Sequence, residues 1–205
     1  SGTVTTENFA TYLASLTAVD RSTLVNDVAS NSAIGSGWTW NGTRNGNNRK
    51  HDDYPAYSDP YARLYETTGY YSYTISSSNL PAGIYKVKVA GFDRRTLSND
   101  ATLYTSYGSL SESYVTANDQ QVRIKSWKEM FDAAGKDDTW AGQSASMTEG
   151  YADNVLYVYL DGSTDLTLTV EKPDYCGGSY LCFGNVELTY YTTDLVAANK
   201  TIIQN

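Results

Sequence analysis

The chain has 205 residues, with 15 Lys and Arg against 23 Asp and Glu and a formal charge of −8. That balance argues against a nucleic-acid or anionic-membrane surface, and a strongly acidic glycan would be repelled unless a local basic patch met it. The length suits one large all-β domain that buries a core without disulfide staples, and no apolar run approaches the roughly 18 residues that cross a bilayer.

In chain order, Phe9, Tyr12, Leu13 and Leu16 fall at helical spacing behind a Thr-rich start, so residues 1–21 read as a helical segment that packs on the domain or ends a linker. From Ser22 the pattern changes to short strands divided by turn residues, the habit of a β-sandwich or jelly roll. Strands are predicted at Thr23–Asn26, Tyr70–Ser76, Ile84–Phe92, Ala101–Ser106, Gln121–Ile124, Asn154–Leu160, Asp165–Glu171 and Leu181–Tyr191. In LPAGIYKVKVAGFDRR, Pro81 and Gly83 mark a turn, Tyr85, Val87 and Val89 share one strand face, and Lys86 and Lys88 share the other. Leu166, Leu168 and Val170 alternate with Thr167 and Thr169 in the same way. Two long interruptions, Trp38 to Arg63 and Ser126 to Asp153, separate these strands, and interruptions of that length often carry function. SWKE at Ser126–Glu129 is a capping box ahead of Trp127, Met130, Phe131 and Ala134, so a short helix is expected there, ended by Gly135. Residues 22–191 make the predicted sandwich, and the polar stretch 192–205 reads as a linker.

The phrases STLVND, Gly37-Trp38, Glu66, YYSYTI, LPAGIYKVKVAGFDRR, ATLY, EGYADNVLYVYL, DLTLTVEK and CFGNVELTYY occur in an order that resembles galactose-binding-domain-like jelly-roll modules. Such modules are attached to secreted polysaccharide-degrading proteins of bacteria. The resemblance covers roughly Ser22 to Tyr191 and implies a noncatalytic carbohydrate-binding module, secreted or at the bacterial surface, linked to catalytic or anchoring domains and monomeric. One departure is Gly184, where related modules usually carry an acidic residue. The resemblance also implies a structural Ca²⁺ near Asn26, Asp27, Glu66 and Glu187, whose other reading is turn formation and a solvated strand face.

Sugar recognition needs flat aromatic faces for the C–H faces of pyranose rings, with amides, carboxylates or guanidinium groups for the hydroxyls. The chain has four Trp and 19 Tyr, and all four Trp lie in or beside the two interruptions. Trp38 reads as a core residue. Trp40 and Trp140 are candidate platforms; Trp127 is either a third or the packing residue of its helix. Tyr54, Tyr57 and Tyr61 recur among prolines, which forbid a regular helix, and either pin that segment or offer stacking faces. Arg94 and Arg95 end the central strand and point to opposite faces, so at most one reaches a given pocket. The family implies a ligand contact or a structural clamp there; a salt bridge to Asp93 or Asp100 is the alternative. Cys176 and Cys182 flank a Gly-rich turn, and either a disulfide that suits an exported protein or two reduced thiols satisfies the spacing.

A single His51 excludes a two-histidine metal site, and no G-x-S-x-G phrase is present. The glycan expected from the charge is neutral, such as the xylan, glucan or mannan of plant cell walls. Two other classes remain: a structural or adhesin-type spacer domain, and a small glycan-active enzyme using paired carboxylates, which need no local motif.

Overall fold

The computed structural model describes residues 7–25, 38–42, 48–49, 62–65, 71–94, 113–137, 139–172 and 180–192. In chain order the elements are α1 (Phe9–Ala14), β1 (Ala18–Asp20), a 3-10 turn (Ser22–Leu24), β2 (Thr39–Gly42), β3 (Asn48–Arg49), β4 (Ala62–Tyr65) and β5 (Tyr71–Ser77). They continue with β6 (Gly83–Arg94), β7 (Tyr114–Ala117), β8 (Gln120–Arg123), β9 (Lys125–Ser126), α2 (Trp127–Ala134), α3 (Trp140–Thr148), β10 (Asp153–Leu160), β11 (Leu166–Lys172) and β12 (Tyr180–Tyr191).

Among these residues the strands form two sheets, of seven and five strands. The first runs β10, β6, β12, β4, β3, with β1 added along β12 and β9 along β6; the second runs β2, β5, β11, β7, β8. All the pairings are antiparallel except the short contact of β9 with β6. The architecture is an all-β sandwich.

Period-two alternation decides which face meets the other sheet. β10 and β11 alternate buried and half-buried residues along their whole length. Tyr85, Val87 and Val89 of β6 join Leu156, Val158 and Leu160 of β10 in one cluster with the inner rows of β5, β7 and β11. Each side chain so buried stabilises the fold by roughly 1.5–3 kcal/mol relative to exposure. Thr74 with Thr169 and Ser76 with Thr167 share hydroxyl hydrogen bonds of 3.1 Å on the outer face of the second sheet, which keeps it wet.

The helices lie on the outer face of the first sheet. α1 packs Leu13 against the fully buried Ile84, and the Phe9 ring meets Tyr157 edge-on at 5.2 Å. The helical segment therefore packs on the sandwich, and β1 continues it into the sheet. Farther along β6, Ala90 and Phe92 are covered by Trp127, Met130 and Phe131 of α2 and by Met147 of α3. α2 has the expected capping box: Ser126 Oγ accepts from Glu129 N at 3.1 Å, Glu129 Oε2 accepts from Ser126 N at 2.6 Å, and Gly135 ends the helix at φ 62°.

Several expectations are corrected. The predicted strand Thr23–Asn26 is absent over its described part, Thr23–Val25: Asp20 Oδ1 accepts from Ser22 N at 2.9 Å, the chain turns through a 3-10 turn, and Val25 drops into the core. Trp38 packs there too, and its Nε1 donates to the Val25 carbonyl at 2.7 Å. The first interruption holds β2, β3 and the start of β4, and the second holds a further helix, α3. β7 was not foreseen, and Ala101–Ser106 lies outside the described residues.

Candidate functional site

The strand termini sort into two ends of the sandwich. β6 finishes at Arg94 opposite Tyr180, the first residue of β12, and Tyr180 also stands opposite Tyr65, the last residue of β4. In the second sheet Lys172 ends β11 opposite Tyr71, the first residue of β5, which stands opposite Gly42 at the end of β2. The Ser113 hydroxyl donates to Asp93 Oδ2 at 2.5 Å, so the start of β7 lies against the end of β6 and both sheets present these termini at one end, termed apical here. The opposite, basal end carries the start of β6 and the ends of β10 and β12.

Two of the candidate residues fall at the apical end. Arg94 is the last residue of β6, and Trp40 lies in β2 opposite Tyr73, two positions from the strand's end. Trp140 opens α3, which follows an N-cap in which Thr139 Oγ1 accepts from Gly142 N at 3.0 Å. α2 and α3 pack on Ala90 and Phe92, close to the apical end of β6. Arg95 and Glu66 directly follow Arg94 and Tyr65 in sequence and lie outside the described residues, as do Tyr54, Tyr57, Tyr61, Asn26, Asp27 and Cys176. Cys182 sits in β12 opposite Phe92.

Trp127 is a correction. It is 2 % exposed, its ring stands 6.0 Å from that of Phe131, and it belongs to the cluster that fastens α2 to the sheet. A capping box sets the first turn of α2 facing inward, so neither face of this ring is open to a sugar.

The buried amide of Asn154 holds the helical shoulder in place. Its Nδ2 donates to the carbonyls of Val89 at 3.0 Å, Gly91 at 2.9 Å and Ala152 at 3.0 Å, while its Oδ1 accepts from Lys125 N at 2.8 Å. One side chain thus ties β10, β6 and β9 together immediately before Ser126 caps α2.

Two charged side chains that were not foreseen as site residues sit at the apical end of the core. Asp93 is 1 % exposed and Lys172 is 0 % exposed. They continue the inner rows of their strands, Asp93 after Val87 and Val89 and Lys172 after Leu168 and Val170. Extending the alternation by one or two more steps would have found both. Charges so buried are costly unless paired and hydrogen-bonded, which is why they mark the place where the apolar core gives way to polar chemistry.

Glu187 is the one proposed calcium ligand among the described residues, and its carboxylate is engaged by an ammonium. Its carboxylate lies 2.5 Å from Lys88 Nζ, which also reaches Asp153 at 3.7 Å. The hydrogen bond to Glu187 is the main cause of a raised Lys88 pKa, which favours the ammonium form. Among the described residues no group of three His, Cys, Asp or Glu side chains is arranged to hold a metal ion. At Gly184, β12 pairs with Ala90 and the register then shifts by a bulge before Val186.

No family model matches the chain, and no curated protein matches it. Among solved structures it is similar to TmCBM61 in complex with β-1,4-galactotriose, with a TM-score of 0.39 and 10 % identity over 75 % of this chain and 88 % of that one. That likeness is too distant to assign a family or a ligand.

Proposed function

We propose that this protein is a noncatalytic carbohydrate-binding module that holds an attached enzyme or surface protein on polysaccharide. The observation that carries the reading is the sorting of the strand termini. Arg94 and Trp40 come to one end of a rigid sandwich, with the α2 and α3 shoulder that bears Trp140 packed near the same end of β6. A planar guanidinium and indole rings are the groups that sugar hydroxyls and C–H faces require. Ala18 of β1 stands opposite Tyr191 of β12, so the first and last described strands meet at the other end. Attached domains would then leave the apical end clear.

Tethering works by effective concentration: a weak contact keeps a linked catalytic domain close to its substrate. The net charge favours neutral glycans such as xylan, glucan or mannan over uronic-acid polymers. Secretion, a bacterial surface location and a monomeric state belong to the same proposal through the family resemblance, and no step of it needs calcium.

The test is affinity electrophoresis of the protein against a panel of soluble polysaccharides, paired with a reducing-end assay on any glycan that retards it. Retardation by a neutral glycan without sugar release is expected, with Trp40→Ala, Trp140→Ala or Arg94→Ala weakening it by about 1–3 kcal/mol. Sugar release well above a heat-killed control would refute the noncatalytic reading, and no retardation by any glycan would favour a spacer domain.

A further inference from the structure

The outer face of the first sheet is roofed in two places. α1 closes over Ile84, while α2 and α3 close over Ala90 and Phe92. Ile84 and Ala90 are six residues apart on one strand, about 20 Å at roughly 3.3 Å per residue. A helix with its side chains has a radius of roughly 5–6 Å, so the strip that the described residues leave between the two roofs is about 10 Å wide.

Two rows of side chains floor this trough. Tyr157, Lys86, Thr189 and Asp20 are successive partners on β10, β6, β12 and β1. Val155, Lys88 and Glu187 form the next row. Four adjacent strands give it a length of about 15 Å, enough for a few sugar rings. Phe9 stands edge-on to Tyr157 at the α1 wall.

The charges of the two rows differ in state. Lys88 is held between Glu187 and Asp153 and is neutralised there. The Lys86 side chain, half-buried in the middle of the floor, makes no ion pair or hydrogen bond among the described residues. A partly desolvated ammonium beside a hydroxyl and an aromatic ring is equipped to donate to a ligand. Two ammonium groups face three carboxylates across the trough, counting Asp20, within a chain of charge −8. That surplus of negative charge disfavours a polyanion.

We infer that this trough is a second binding surface, which takes one extended, neutral polysaccharide chain laid across the strands. Lys86 Nζ and Thr189 Oγ1 contact its hydroxyls, Tyr157 supports a ring face, and Lys88 with its two carboxylates forms a fixed polar border. The inference rests on the carbohydrate reading above and extends it to a surface distinct from the apical end.

The test measures binding of cellohexaose, xylohexaose and mannohexaose by calorimetry, with hexagalacturonate as the charged comparison. Lys86→Met and Thr189→Val keep the side-chain bulk, and each is expected to weaken the neutral ligand about three- to tenfold, the range of one lost hydrogen bond. Thermal melts check that both variants fold. Should Lys86→Met fail to fold, reductive ¹³C-methylation of the parent gives an independent readout, since the Lys86 resonance should shift on adding the neutral ligand. A parent that binds these chains while both variants bind equally well, or a Lys86 resonance that stays still, overturns the trough and leaves the carbohydrate reading standing. A parent that binds none of the neutral chains overturns both. Tighter binding of hexagalacturonate than of the neutral chains overturns the charge argument for the occupant.

Discussion

Trp127→Ala separates a residue that builds the fold from the residues proposed to touch a ligand. The indole is 2 % exposed and packs with Phe131, Met130, Phe92 and Ala90, so its removal leaves a large cavity between α2 and the sheet. A Trp side chain buries about 150–250 Å², worth about 4–6 kcal/mol at roughly 25 cal/mol per Å². Trp→Ala substitutions in cores cost about 3–5 kcal/mol, which agrees. Against a typical stability of about 5–15 kcal/mol, the variant keeps its fold only narrowly or loses it. Urea denaturation followed by Tyr and Trp fluorescence gives the change in midpoint, and affinity electrophoresis of the folded fraction gives the binding. The expected result is a loss of at least about 3 kcal/mol in stability, with retardation falling only in proportion to the unfolded fraction. A variant as stable as the parent but unable to bind would return Trp127 to the ligand surface and refute the packing argument.

Three further outcomes follow from the geometry. Asn154→Ala leaves Lys125 N and the carbonyls of Val89, Gly91 and Ala152 without their buried amide, so a loss of about 2–4 kcal/mol in chemical denaturation is expected; a loss below about 1 kcal/mol would contradict the network. Burial pushes the Tyr85 hydroxyl up to about 12 from its ordinary 10.0, with Tyr190 adding to it. The folded state therefore keeps its proton where the unfolded state loses it, so this contribution is complete below about pH 10 and falls by on the order of 2 kcal/mol as pH rises toward 12. Tyr85→Phe should flatten that alkaline decline in urea titrations, and an unchanged slope would refute the assignment. Glu187→Gln removes a half-exposed ion pair worth at most about 1 kcal/mol, so a small drop in melting temperature, equal in Ca²⁺ and in EDTA, is expected. A calcium-dependent gain in the parent that vanishes in the variant would make Glu187 a metal ligand after all.

The sandwich was legible wherever one face is buried and the other wet, because alternation at period two then fixes both strand and register. β10 and β11 are of this kind, as is β6 from Tyr85 to Val89, and the α2 helix was legible through its capping box. β2, β4 and β7 were not seen. Each has only four residues, too few for a period to show, and their pairing comes from the longer neighbours they lie against. Residues Thr23–Asn26 carry strand-forming side chains, yet the Asp20 side chain and the Ser22 hydroxyl, which accepts from Leu188 N at 3.1 Å, turn the chain instead. For the site, the position of Arg94 at a strand end was legible. The fate of Trp127 was not, since a ring that starts a helix can face either way until the surface it packs on is known. Lys86 escaped notice because a lysine on a wet strand face is unremarkable until helices roof the strip on either side of it.

The pairing of β1 with β12 sets how the molecule responds to force. Ala18 and Tyr191 are ladder partners, so tension drawn between the flanking segments lifts the short α1 and then peels the three residues of β1 away one hydrogen-bonded pair after another. Tension between the apical end and the basal end runs instead along β6 and β12, twelve residues each, and must slide whole ladders at once. The same fold is therefore compliant when its two flanking segments are pulled apart and stiff when it is pulled from end to end.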